Sequence, residues 1–188
     1  MKIIPGVVAF LEKKIAVNRT VVSLYANFYR EVVKNEIKLA EITEKDRVLN
    51  IGCGGIPFTA ILVARLTGAR VWAIDCDKDA VEVARRCVAA QQLEKLVTVV
   101  HMDGGDTIPF NFDVAVVALQ AKPKNKILEN LLQSSDSKVR LVFRRPRREL
   151  GHQYDLLPSM PLFCDSIGQN KTTFDCSVLY ANLSSCQA

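Results

Sequence analysis

Residues 50–60 read NIGCGGIPFTA, and three of the four residues at 52–55 are glycines. An apolar run at residues 47–51 leads into the glycines, and a helical pattern at 59–66 follows them. Because a turn of this kind carries so little side chain, a ligand can approach its backbone N–H groups closely. Many turns are rich in glycine for geometric reasons alone, so the surrounding sequence has to decide what this one does.

The chain after residue 46 alternates between strand and helix patterns. The sequence predicts strands at 47–51, 70–74, 96–100, 112–118 and 138–143, with helices at 59–66, 78–91 and 125–132. Such an order implies parallel strands joined by right-handed crossovers, with helices on both faces of the sheet. We therefore predict an α/β fold, a doubly wound, Rossmann-like and mostly parallel sheet, formed by residues 46–188.

The first 45 residues have a different character and are predicted to form a helical cap. Helices are expected at 5–17 and 20–41, because apolar residues recur there at steps of three and four. The second helix either docks on the core or acts as a lid over a ligand site. A lid would use Tyr25 or Tyr29.

The C-terminal part breaks the alternation. After residue 146 the sequence is polar and rich in proline, so the crossover helix is expected to be short or irregular. A closing strand is predicted at 177–181, paired antiparallel with a strand near 161–167. The run RRPRR at 144–148 has three alternatives: a solvated loop, a clamp for carboxylates or phosphates, or an RNA contact. Arg144 is the member expected to face the site.

The composition describes a globular protein without metal or disulfide requirements. The 188 residues are 49% hydrophobic and 24% charged, and no apolar stretch is long enough to suggest a membrane span. Six scattered cysteines without a CxxC pair, together with only two histidines, argue against a metal site. We expect a cytoplasmic protein with reduced thiols. The net charge of +5 permits contact with nucleic acid but does not require it.

An acidic residue at the end of the second predicted strand indicates the ligand class. Asp75 lies 23 residues after Gly52, a position from which a carboxylate can accept hydrogen bonds from a ribose diol. Pro57 stands where the dinucleotide fingerprint requires Gly or Ala, which disfavours NAD and FAD. No Gly-Lys-Ser/Thr follows the turn, so a P-loop is also disfavoured. A different nucleoside-containing ligand is therefore expected.

These motifs resemble those of a known superfamily. VLNIGCGG, followed by AID at the end of the next strand, is similar to class I S-adenosylmethionine-dependent methyltransferases, whose sheet has seven strands. The segment GCGGIPFTAILVARLTGARV most resembles the archaeal nicotianamine synthase-like branch. The similarity continues through FDVAVVALQAKPKNKILENL, LVFRR and the terminal SVLY, and covers roughly residues 46–181.

The resemblance implies S-adenosylmethionine as co-substrate and assigns a role to each matching position. The glycine turn would wrap the methionyl part, Asp75 would hold the ribose hydroxyls, and the residues after the third strand would contact the adenine. The floor of the pocket would lie after the fourth strand. The residues so implied are Asn50, Gly52, Cys53, Gly54, Pro57, Asp75, Cys76, Met102, Asp103, Ala118 and Gln120.

Two features depart from the family pattern. Asn50 stands where the first strand usually carries Asp or Glu, and only about 45 residues precede that strand. Nicotianamine synthases have a longer helical N-terminal domain, which contributes a catalytic Glu.

Methyl transfer to a small-molecule acceptor is the leading expectation, since it is the common chemistry on this fold. The alternatives are 3-amino-3-carboxypropyl transfer, and a non-catalytic or RNA-binding module that keeps the fold.

No catalytic triad is visible, and none is required, since a sulfonium is already an activated leaving group that mainly needs alignment. The sequence offers only isolated candidates for a catalytic role. They are Glu31 and Glu36 on the N-terminal helix, His152 in the irregular segment, Arg144 and Tyr25. His101 follows a strand and is expected to be a packed or rim residue.

Overall fold

The computed structural model describes residues 19–135, 138–157 and 163–181, which form one sheet with helices on both faces. The helices are α1 (Arg19–Leu39), α2 (Phe58–Thr67), α3 (Lys78–Ala90) and α4 (Lys124–Gln133), with a short 3-10 helix at Arg148–Leu150. The strands are β1 (Arg47–Ile51), β2 (Arg70–Asp75), β3 (Val97–His101), β4 (Val114–Val117), β5 (Arg140–Pro146), β6 (Phe163–Gly168) and β7 (Phe174–Ala181). The helix expected at 5–17 lies outside the described residues.

The sheet has seven strands in the order β3-β2-β1-β4-β5-β7-β6, which confirms the predicted fold class. Strands β1 to β5 pair in parallel, whereas β7 runs antiparallel between β5 and β6. The strand order reverses between β1 and β4. In open sheets of this kind, ligands bind at such a reversal, beyond the carboxyl ends of the strands.

Apolar layers cover both faces of the sheet, and the central strands are therefore buried on both sides. All four residues of β4 and four of the five in β1 are buried. Alternate residues face opposite layers, so Val142 belongs to the apolar cluster that includes residues of α1, α2 and α3, while Phe143 belongs to the cluster that includes residues of α4. This alternation fixes the direction of every side chain that β5 presents at its carboxyl end.

The helix ends follow the local sequence. Gly68 closes α2 in a left-handed conformation, with φ of 79°, as expected for a glycine C-cap. Asp77 caps α3 by accepting hydrogen bonds from the backbone N–H groups of Asp79 and Ala80. Pro57 directly precedes α2, where its missing N–H group is not needed.

The C-terminal part differs in detail from the prediction. The crossover helix is indeed short, a single 3-10 turn, and the antiparallel closing pair is present. The run RRPRR is not a solvated loop throughout, however, because residues 144–146 extend β5 and bond to β7. Arg144 and Pro146 are buried as a result. No helix within the described ranges is long and apolar enough to cross a bilayer.

Candidate functional site

The glycine turn is held against the end of β2 by its own backbone. The N–H groups of Gly52 and Cys53 both donate to the carbonyl oxygen of Ile74, at 2.9 and 3.1 Å. The N–H of Gly54 donates to Asp75 Oδ2 at 2.8 Å. These three N–H groups therefore bond within the protein, and at these positions the turn offers a ligand space rather than donors.

Two of the glycines are required by this geometry. Gly52 and Gly54 have φ of 75° and 64°, a left-handed conformation that residues with a Cβ rarely adopt. A Cβ on Gly52 would lie 3.3 Å from the Cβ of Ala118, whereas one on Gly54 would meet no atom within 4 Å. The open side of the turn at Gly54 is therefore free to receive a ligand.

A cavity of about 250 Å³ lies beside the turn, at the carboxyl ends of β1, β4 and β5. Seven of the predicted site residues line it, namely Asn50, Gly52, Cys53, Gly54, Ala118, Gln120 and Arg144. We call this cavity the crevice. The remaining walls come from Tyr29 on α1 and from Ile56, Phe58 and Thr59 around the start of α2.

Asn50 lines the crevice and has a buried side-chain oxygen without a hydrogen bond to any described residue. The residue is only 2% exposed, and its Nδ2 donates to the carbonyl oxygen of Val116 at 3.2 Å. Its Oδ1 is buried and accepts no hydrogen bond from any described residue. Because an unpaired buried acceptor is destabilising, such an atom in a cavity wall indicates a place for a donor from a ligand.

Asp75 links the glycine turn to the loop after β2. Its Oδ2 accepts from the Gly54 N–H, and its Oδ1 accepts from the Asp77 N–H at 3.0 Å. The residue is half-buried and does not line the crevice itself. Since each carboxylate oxygen has two lone pairs, one acceptor position remains on each oxygen for a further partner.

The residues predicted to contact adenine lie next to Asp75, at the ends of β2 and β3, and not in the crevice. The N–H of Met102 donates to the Asp75 carbonyl oxygen at 3.0 Å, and Cys76 is exposed. Asp103 Oδ1 accepts from the backbone N–H of Gly105 at 2.8 Å. The structure thus gathers these residues on one side of the turn. Their role toward adenine stays a prediction.

Arg144, which lines the crevice, belongs to a buried ion pair. Arg144 donates from Nε and Nη2 to the two carboxylate oxygens of Glu36, at 2.7 and 2.8 Å, and from Nη2 to Thr59 Oγ1 at 2.9 Å. Ser177 Oγ donates to Glu36 Oε1 at 2.9 Å. Burial lowers the pKa of Arg144, but the charge and hydrogen bonds of Glu36 outweigh it, so the net effect raises that pKa.

This ion pair changes the interpretation of Glu36, which the sequence offers as a catalytic carboxylate. The side chain is 1% exposed and both of its oxygens bond to Arg144 or Ser177, so Glu36 anchors α1 to β5 and β7. Sequence reasoning missed the pair because its members lie 108 residues apart. Arg144 itself does line the crevice, as predicted.

Two other catalytic candidates lie away from the crevice. Glu31 is 73% exposed and pairs with Lys34 on the surface of α1. Five residues separate it from Glu36, which turns it about 140° around the helix and away from the site. His152 is exposed in the loop after the 3-10 helix and lies in hydrogen-bond range of Gln153. Both residues lie on the surface, and a catalytic role for either stays a prediction.

An aromatic pair covers one side of the crevice. The rings of Tyr29 and Phe58 stack with their centroids 5.8 Å apart, and Lys171 Nζ lies 5.5 Å from the Tyr29 ring centroid. Tyr29 therefore lies over the crevice, the position that it would have if α1 acted as a lid. Tyr25 belongs to the same helix, but its side chain lies outside the described part of the chain.

The thiol at the turn is not a nucleophile. Burial and the nearby charge of Asp75 raise the pKa of Cys53 to about 12, so the thiol stays protonated at neutral pH. Within the described residues, no three His, Cys, Asp or Glu side chains are grouped so as to hold a metal ion. The residues that line the crevice thus offer hydrogen bonds and shape, which suit the binding and alignment of a ligand.

Comparison with known proteins agrees with this geometry. Residues 48–135 match a family model described as "Methyltransferase domain". The chain is 29% identical over 120 residues to an L-histidine 2-aminobutanoyltransferase of Yersinia pestis, an alignment that covers 64% of this chain and 45% of the relative. It is 34% identical over 98 residues to a ribosomal protein L11 methyltransferase of Thermotoga neapolitana, with 52% and 36% covered. The chain thus spans less than half the length of these relatives.

Solved structures show the same fold. A crystal structure of an MtNAS point mutant in complex with S-adenosylmethionine superposes with a TM-score of 0.79 at 23% identity. The superposition covers 93% of this chain and 72% of that protein. The fold of this chain therefore belongs to an architecture that another protein builds from a largely different sequence.

Proposed function

We propose that this chain is an S-adenosylmethionine-dependent transferase acting on a small-molecule acceptor, since residues 48–135 match the methyltransferase-domain family model. The match to the family model confirms the resemblance predicted from the glycine turn and Asp75. The bound cofactor would supply an electrophilic carbon on a sulfonium. The protein would have to hold that sulfonium and align an acceptor with it.

The observation that carries the proposal is the unpaired Oδ1 of Asn50, a residue that lines the crevice. The methionyl part of S-adenosylmethionine bears an ammonium group, which is a donor that this oxygen lacks. Arg144 lines the same cavity, and its hydrogen bonds to described residues use Nε and Nη2, which leaves Nη1 as a donor for a carboxylate. An acceptor oxygen and a guanidinium in one small cavity suit an α-amino acid group.

The other half of the cofactor fits the neighbouring strand ends. Asp75 keeps one acceptor position on each oxygen, which suits the two hydroxyls of a ribose. The open space at Gly54 lies between Asp75 and the crevice, where the chain of the ligand would cross. We infer that Cys76, Met102 and Asp103 flank the adenine beyond Asp75.

Methyl transfer is the reaction that we propose first, because it is the common chemistry on this fold. A second candidate is 3-amino-3-carboxypropyl transfer. The similarity to an L-histidine 2-aminobutanoyltransferase and the superposition on MtNAS favour it. Mass spectrometry of the spent cofactor separates the two, since methyl transfer leaves S-adenosylhomocysteine and the second reaction leaves methylthioadenosine.

We propose a small molecule as acceptor because the cavities at the carboxyl ends of the strands are of small-molecule size. A cytosolic location fits the four cysteines that the structure describes, none of which forms a disulfide.

The decisive test is calorimetric titration of Asn50→Leu with S-adenosylmethionine. Leucine has a similar volume and removes the unpaired oxygen together with the hydrogen bond to Val116, so the free energy of unfolding without ligand should fall by about 1 kcal/mol. The affinity for S-adenosylmethionine should fall about tenfold, the effect of one lost charge-assisted hydrogen bond. If the variant binds as tightly as the original protein, Asn50 does not hold the ammonium group.

A further inference from the structure

A second cavity, of about 500 Å³, lies at the carboxyl end of β5, outside the crevice. Its walls come from the last residues of β5, the 3-10 helix, the loop that follows, and the start of β7. We call it the arginine cavity because Arg145, Arg147 and Arg148 line it, with Asp175 as the acidic residue of its lining. None of the residues that line the arginine cavity lines the crevice.

The three arginines are not equally neutralised. Arg145 donates from Nε and Nη2 to Asp175 Oδ1, at 3.1 and 3.0 Å. Arg147 uses Nε to bond the carbonyl oxygen of Lys171 at 2.7 Å, which leaves its positive charge unpaired. The side chain of Arg148 is exposed and has no hydrogen bond or ion pair with any described residue. Two guanidinium groups at this cavity therefore lack an anion.

The same cavity has an apolar wall. Leu156 is 73% exposed, the one large hydrophobic side chain so exposed in the described ranges, and Leu157 beside it packs on the α4 side of the sheet. A wall of this kind contacts apolar atoms, while planar guanidinium groups bind carboxylates and phosphates. The matching ligand is a small organic anion with an apolar part, and the volume suits such a molecule.

The arginine cavity and the crevice are connected through one buried lysine. Asp155, next to Leu156, accepts a hydrogen bond from the backbone N–H of Lys124 at 3.1 Å. Lys124 Nζ then donates to the carbonyl oxygen of Leu119 at 2.8 Å. Leu119 lies between Ala118 and Gln120, which line the crevice. The wall of one cavity thus supports the floor of the other.

Strand β5 also connects the crevice and the arginine cavity. Arg144 and Arg145 are consecutive residues of β5, so their side chains point to opposite faces, one toward each cavity. Both cavities open at the carboxyl edge of the sheet. A molecule bound in the arginine cavity would therefore lie at the same edge as the cofactor.

We propose that the arginine cavity binds the acceptor through a carboxylate or phosphate group. This inference rests on the proposed transferase function and narrows its substrate class to small anionic molecules with an apolar portion. A nucleic acid is the competing source of phosphate, but a cavity with an apolar wall suits an isolated small molecule better than a continuous backbone.

Calorimetric titration with phenyl phosphate tests the proposal, because this probe combines a phosphate with an apolar ring. At low ionic strength it should bind about tenfold more tightly than inorganic phosphate or phenol alone. Arg148→Gln should weaken binding about tenfold, since an arginine–phosphate contact is charge-assisted. The matched control is Arg70→Gln, an exposed arginine at the start of β2 that does not line the arginine cavity, and it should leave the affinity within about twofold.

The outcomes also separate this inference from the proposed function. Arg148→Gln should bind S-adenosylmethionine as the original protein does. If phenyl phosphate binds and S-adenosylmethionine does not, the transferase function fails and an anion site remains. Absence of phenyl phosphate binding, or equal binding by Arg148→Gln, overturns the inference. Tighter binding of a short single-stranded RNA, lost in Arg148→Gln, would also overturn it and assign the cavity to RNA.

Discussion

The crevice and the arginine cavity use the same kind of side chain in opposite ways. In the crevice, Arg144 is buried and bonded to both oxygens of Glu36. Four residues later, Arg148 is exposed at the arginine cavity and has no anionic partner among the described residues. The run RRPRR therefore contains one residue that stabilises the fold and others that are free to bind. A basic run in a sequence is not one functional unit.

The largest expected effect is a loss of stability on substitution of Arg144, at the crevice. Arg144→Met leaves the Glu36 carboxylate buried without its counter-charge, so the free energy of unfolding should fall by about 3–5 kcal/mol. The neighbouring substitution Arg145→Met removes a half-exposed ion pair with Asp175. It should lower the free energy of unfolding by about 0–1 kcal/mol. Urea unfolding followed by circular dichroism measures both. Equal losses in the two variants would contradict the distinction.

A smaller effect should separate the ligands of the two regions. Asp75→Ala removes the acceptor positions proposed for the ribose, so binding of S-adenosylmethionine should weaken by about 1–3 kcal/mol. Binding of phenyl phosphate should not change, because Asp75 does not line the arginine cavity. Calorimetry with both ligands checks the prediction, and Asp79→Ala on the exposed first turn of α3 is the control. A parallel loss of both ligands would mean that the two regions are not independent.

The smallest effect concerns Lys124, which connects the two regions. Burial lowers the pKa of Lys124, although the charge of Asp155 opposes this shift. A lysine whose pKa is lower in the folded than in the unfolded protein binds fewer protons when folded, so stability rises with pH between the two values. That window ends near the ordinary lysine value of about 10.5.

The measurement is urea unfolding of the original protein and of Lys124→Met at pH 7.5 and pH 10. The original protein should gain stability relative to the variant at the higher pH, because the variant lacks the titrating group. An unchanged difference between the two proteins would show that Lys124 carries no burial penalty.

The sequence predicts the parallel part of the fold well because its signals are local. The run at 47–51, the glycines that follow and Gly68 each fix the backbone within a few residues. The position of Asp75 at the end of a strand also follows from local pattern, and the structure places it against the glycine turn. These features need no knowledge of distant contacts.

The rest depends on contacts between distant residues. Glu36 and Arg144 look like a solvated helix residue and a member of a basic run until the fold brings them together. The N–H groups of the turn look available, but Ile74 and Asp75 accept their hydrogen bonds. The arginine cavity forms from an irregular segment without periodicity, so no pattern predicts it.

The central claim is that the glycine turn separates two halves of one bound S-adenosylmethionine. A crystal structure of the complex tests this most directly. We predict the ligand ammonium nitrogen about 3 Å from Asn50 Oδ1 and the ribose hydroxyls at a similar distance from Asp75. A ligand bound elsewhere on the protein, or one whose ammonium group points away from Asn50, would contradict the account.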